Sequence, residues 1–271
     1  MKKLFYSGLC LMWFSTAACA HFQELIPSED VVTEGGPVTL DLIFTHPMDR
    51  GPTMDMEKPK RFGVKRGDKI IDLSSRLEER KIDGKRAWRA KDEITEPGAS
   101  LYFVEPQPYW EPAEKKYIVH YAKVLVDGFA SGEDWDSMVG LPVEIEPLTR
   151  PTGLWTGNVF TGVVLKNGKP VPNAEIEVEY VNDGSVKVPN PTFVTQVLKA
   201  DSNGTFSYAM PRAGWWGFAA LTEGDEKMKR PDGSLAPVEV GGLIWVKATD
   251  EIRLHGFEVG GLIWVKATDM K

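Results

Sequence analysis

The chain has 271 residues, of which 42% are hydrophobic and 26% charged, with 26 glycines and 19 prolines. That balance is globular and excludes a disordered tail, a collagen-like rod and a polytopic membrane protein. A formal charge of −7 argues against a nucleic-acid binder, which needs a basic face to displace counterions, and suits a chain that meets cations.

The first twenty residues read as an address. Lys2 and Lys3 precede an apolar run from Leu4 to Phe14, too short for the ~20 residues that span a bilayer. Small residues follow, and Ala18-x-Ala20 fits a signal-peptidase site, so residues 1–20 are expected to be removed as a secretory signal. The expected location is periplasmic, with no stable membrane span in the mature chain. Cys10 and Cys19 leave with the signal, which excludes disulfides and thiolate metal sites from the mature protein. Two lysines leave and no acid does, so −7 becomes −9. The new first residue is His21. The alternative is lipidation at Cys19, where Thr16 makes a poor lipoprotein box; it would block that amine.

The mature chain reads as strands in two β-sandwich domains, an Ig-like one over residues 21–148 and a second over 149–271. Pro37 to Thr45 alternates, with Val38, Leu40, Leu42 and Phe44 on one face. Lys69–Leu73, Ala99–Val104 and Lys116–Val126 are further β-rich runs, punctuated by turn formers. Leu73–Lys81 reads as a short helix. Two prolines and a glycine between Pro147 and Gly153 mark the boundary. In the second unit Lys166-Asn167-Gly168-Lys169 is a strong hairpin signal, because both central residues of a type I′ turn need φ > 0. Asp201-Ser202-Asn203-Gly204 repeats the device, which also explains the sequon at Asn203 without glycosylation.

Four histidines carry the candidate chemistry. His21, at a free N-terminus, offers its α-amine and its imidazole to one metal. His46 ends an apolar strand and is stiffened by Pro47, while His120 shares a strand face with Ile118, Ala122 and Val124. Any one alone reads as a packed histidine; three in one cysteine-free unit point to a divalent transition metal, since imidazole suits nickel, cobalt, copper and zinc. Met48, Met54 and Met56 read as packing under a loop, with soft Cu(I) ligation as the alternative. Glu133-Asp134-Trp135-Asp136 reads as a solvated loop, with a carboxylate completing the metal site as the alternative. Tyr109, Trp110, Trp135 and Trp155 read as core or rim aromatics. No Gly-x-Ser-x-Gly, phosphate-binding loop or His-Glu-x-x-His is present, and the expectation is that the protein is not an enzyme.

Two resemblances follow from these motifs. Residues from Phe160, through the Gly168-Lys169-Pro170-Val171-Pro172-Asn173-Ala174 turn and Ala200-Asp201 to Phe206, to Pro211-Arg212-Ala213-Gly214-Trp215-Trp216, resemble a transthyretin-like or carboxypeptidase-regulatory-like module. That implies a structural or binding domain. The whole mature chain resembles the periplasmic nickel- and cobalt-uptake component family. The residues that carry it are Ala20-His21-Phe22, Phe44-Thr45-His46-Pro47, Tyr109-Trp110 through His120-Tyr121-Ala122-Lys123, and Leu243-Ile244-Trp245-Val246. The resemblance implies delivery of nickel or cobalt to a membrane uptake transporter and carries His21, His46 and His120 as metal positions. A copper-binding histidine brace is the alternative, and an adhesion-type β module without metal a third reading.

The twelve residues Glu239–Asp250 recur unchanged as Glu258–Asp269. One sheet has room for one such strand, and the first copy is expected to fill it. His255, in the connector, is expected to take no part in metal binding.

Overall fold

The computed structural model describes residues 21–250. The signal segment, both cysteines, His255 and the second copy of the repeat lie outside the described residues. Strand is the dominant regular structure among those described, with two short 3-10 turns, in an architecture of β-sandwich type.

Three sheets build two cores. Phe22–Pro27, Gly36–Thr45, Lys85–Ile94 and Glu78–Ile82 form an antiparallel sheet in that order. A second small sheet joins Val143–Pro147, Val159–Lys166 and Lys169–Pro170, with Thr205–Ala209 also on Val159–Lys166. Between them runs a long sheet ordered Gln196–Lys199, Glu175–Tyr180, Gly214–Glu223, Val238–Thr249, Lys116–Gly128, Gly98–Glu105, Arg61–Arg66 and Lys69–Asp72.

The Val238–Thr249 strand joins the two halves. It pairs antiparallel with Gly214–Glu223 and parallel with Lys116–Gly128, placing Gly241 beside His120 and Trp245 beside Val124. Strand side chains alternate between faces, and here both faces are buried. Leu243 and Trp245 enter the core shared with Phe22, Leu40, Val64 and Val124. Ile244, Val246 and Ala248 enter the core shared with Ile145, Phe160 and Phe206. That is why the repeat lacks a polar face at its centre. The first copy fills the sheet, as expected.

The predicted strands all form, with Gly36–Thr45 and Lys116–Gly128 spanning their expected runs. Asn167 and Gly168 both take positive φ, 51° and 72°, as a type I′ hairpin requires. The Asp201–Gly204 segment is not a hairpin. Its Asp201 carboxylate accepts the Asn203 and Thr205 N–H groups, and the chain crosses from one sheet to another, since Gln196–Lys199 pairs with Glu175–Tyr180 and Thr205–Ala209 with Val159–Lys166. The helix expected over Leu73–Lys81 is a single 3-10 turn, Ser74–Arg76, followed by the strand Glu78–Ile82. Leu73 and Leu77 anchor the turn in the core, and the charged residues beyond extend to pair with Lys85–Ile94. A free strand edge there outweighs local helix propensity.

Candidate metal site

His21 and His46 are brought together by one antiparallel pair. Phe22 lies opposite Thr45, so the residues flanking that pair, His21 and His46, meet at the end of the sheet. Their ring centroids are 4.5 Å apart. His120 comes from the long sheet, among the core residues Ile118, Ala122 and Val124 as its alternation predicts. Phe44 stands between, its ring 5.5 Å from that of His21 and 6.2 Å from that of His120. All three histidines are buried, His120 to 1% exposure.

Each of two rings is held by a carboxylate at the same nitrogen. His21 Nε2 lies 3.0 Å from Glu111, whose other oxygen accepts the Ala113 N–H. His120 Nε2 lies 3.1 Å from Glu239, which also pairs with Lys116. A carboxylate accepts, so each Nε2 donates, and Nδ1 of a neutral ring in that tautomer is a bare acceptor. Among the described residues neither Nδ1 has a hydrogen-bond partner, and both are buried. Metal-ligating histidines are oriented in this way, with a carboxylate behind the ring.

Electrostatics keep the His21 ring neutral. Burial, then the neighbouring His46, lower the His21 pKa to about 4, with His120 adding to the fall and Glu111 and Glu239 opposing it. Glu239 is held down at about 2 by His120 and Lys116 against the cost of its burial. His21 is therefore an unprotonated donor at neutral pH, and Glu239 a fixed negative charge. Gly241 makes room for this: a Cβ there would stand 2.5 Å from His120 Cδ2.

The remaining candidates are placed elsewhere. Met54 and Met56 are core residues, Met56 Sδ accepting from Gln23 at 3.6 Å, and Met48 is buried in the loop after His46. The packing reading of the methionines stands. Glu133, Asp134 and Asp136 are exposed, while Trp135 packs on Leu101 and Leu125. Among the described residues no three or more His, Cys, Asp or Glu side chains are gathered closely enough to hold a metal ion as placed. The structure supplies one pair, His21 with His46, and a third ring across Phe44. Sequence reading missed Glu111 and Glu239. Glu111 stands in the Tyr109-Trp110-Glu111 run, and Glu239 is the one acid in its strand.

No curated protein matches the sequence. Solved structures are similar only at low identity. Domains A168–A170 of titin match at 10% identity over 82% of this chain and 61% of that one, with a TM-score of 0.21. Trypsin-activated alpha-2-macroglobulin from Escherichia coli matches at 10% over 84% and 16%, TM-score 0.22. A putative carbohydrate-binding protein from Bacteroides uniformis matches at 11% over 72% and 90%, TM-score 0.22. The chain spans less than two thirds of the length of the first two. Among the described residues no helix is long and apolar enough to cross a membrane. The model of a domain of unknown function, DUF4198, matches residues 18–224, and the chain belongs to that family.

Proposed function

We propose that this is a secreted, non-catalytic metal-binding protein of the periplasm that delivers nickel or cobalt to a membrane uptake transporter. The observation that carries the reading is the pair of carboxylate-backed histidines, His21 and His120, each with a buried Nδ1 lacking a partner among the described residues. Removal of residues 1–20 would free an α-amine on His21. That amine and Nδ1 of the same residue close a six-membered chelate ring on a metal, and His46 and His120 supply further imidazoles. Nitrogen donors of this kind suit late first-row divalent ions, and the protein's acidic charge favours their approach. Nickel or cobalt as cargo, the transporter as partner and the transthyretin-like character of the second half rest on the motif resemblances. The same donors would hold Cu(II), which is the second reading.

Calorimetric titration of the chain beginning at His21 with Ni(II), Co(II) and Cu(II) tests this. One site per chain is expected. His46→Ala, and a single residue added before His21, should each weaken binding roughly tenfold or more, as loss of a ligand or chelate arm does. Equal titrations for both variants would leave the adhesion-type reading standing. Metal analysis of protein from its own periplasm separates nickel and cobalt from copper.

A further inference from the structure

We propose that the cleft beside His120 is a second binding site, for a small organic amine with a flat apolar body. The cleft encloses about 210 Å³. Phe44, Tyr109 and Trp110 give it aromatic walls, with Pro108, Ile118 and His120 among the other lining residues. An aromatic-walled cleft of this size fits one small ring, whereas a bare ion would leave it mostly empty.

Three features select the ligand's chemistry. The first is His120, whose Nε2 is engaged by Glu239 and whose buried Nδ1 has no partner among the described residues. A ligand that reaches this nitrogen must donate a hydrogen bond to it. The second is charge: Asp55 and Glu57 line the cleft, and among the described residues no lysine or arginine does. Arg86 pairs with both from outside the lining, so the cleft is mildly acidic and disfavours carboxylates and phosphates. The third is the aromatic surface. Phe44, Tyr109 and Trp110 offer π faces that attract an ammonium, while the Arg230 guanidinium packs on Trp110, 4.4 Å from the ring centre, from outside the cleft lining. An ammonium or N–H donor on a flat apolar body satisfies all three. The site does not depend on the metal reading and shares only His120 with it.

The test uses metal-stripped protein titrated with benzylamine and, as a probe of the same size and opposite charge, benzoate, followed by calorimetry and tryptophan fluorescence. Saturable one-to-one binding of benzylamine is expected, roughly tenfold or more tighter than benzoate. Trp110→Ala, at a partly exposed position, and His120→Phe should each weaken it by a similar factor. Equal binding of the two probes would overturn the proposal, as would benzylamine binding unchanged by Trp110→Ala. Because His120→Phe alters a buried position, the Trp110 variant decides if that protein fails to fold. Should benzylamine fail while Ni(II) still binds, this inference falls and the metal reading stands.

Discussion

Glu24, Glu177 and Glu179 are carboxyl groups that the fold keeps from water. Burial first, then the neighbouring Asp41 and Glu179, raise the Glu24 pKa from 4.5 to about 8. Burial, then Glu239, raise Glu177 to about 8, and its Oε2 has no hydrogen-bond partner among the described residues. Glu179 stands at about 7, raised by burial and restrained by the Thr195 hydroxyl and the Met48 N–H that it accepts. Between 4.5 and these values the native chain binds more protons than the unfolded chain. Their contribution is therefore fully present below 4.5 and lost as pH rises through about 8. At ~1.4 kcal/mol per unit, Glu24 alone contributes on the order of a few kcal/mol. Glu24→Gln holds a neutral group of the same shape, so its melting temperature should fall less steeply between about pH 5 and about pH 9 than that of the parent. Parallel melting curves across that range would show that Glu24 is not the group responsible.

At the scale of elements, one buried ion pair links two strands where the two halves meet. Lys123, fully buried in the Lys116–Gly128 strand, donates to Glu144 at 2.7 Å. Glu144 also accepts the N–H groups of Val139, Gly140 and Leu141, so one carboxylate on Val143–Pro147 fixes the loop leading into that strand. Removing one partner of such a pair leaves an uncompensated buried charge. Glu144→Ala should thus cost about 3–5 kcal/mol in urea unfolding, and adding Lys123→Met should recover part of it. A loss below about 1 kcal/mol would mean that the pair is solvated and weak. Nothing in the local sequence announces this pair, because its members stand on separate strands 21 residues apart. The same limit explains what else was and was not legible. Gly36–Thr45, Lys116–Gly128 and the Asn167-Gly168 turn are written in alternation and turn chemistry. The extension of Glu78–Ile82 and the parallel pairing of Val238–Thr249 depend on edges supplied from far along the chain. At the site, the histidines could be named from their rarity. Glu111 and Glu239, which set their protonation, could not, because a single acid in a strand carries no periodic signal.

At the scale of the whole molecule, the chain carries two identical twelve-residue segments for one slot in the long sheet. The first copy, from Glu239, fills it, with Trp245 fully buried and its indole N–H donating to the Gln23 carbonyl at 3.0 Å. Every side chain used there recurs from Glu258 to Asp269. Loop closure favours the nearer copy only weakly, by less than about 1 kcal/mol on a (3/2)RT ln n scaling. Local contacts add to the preference: Gly224 N–H to the Val238 carbonyl at 2.7 Å, and Tyr117 N–H to the Pro237 carbonyl at 2.9 Å. The segment before the second copy has Phe257 where the first has Val238. Truncation after Asp250 should therefore leave melting temperature and metal affinity nearly unchanged. Trp245→Ala then separates a surplus strand from a spare one. In the truncated chain the cavity should cost about 3–5 kcal/mol, the usual range for a buried tryptophan. In the full chain the second copy brings Trp264 to the same slot, so the loss should be capped at the cost of changing copies and be clearly smaller. Equal losses in the two backgrounds would show that the second copy cannot enter the sheet. A large loss on truncation alone would show that the second copy already contributes to the fold.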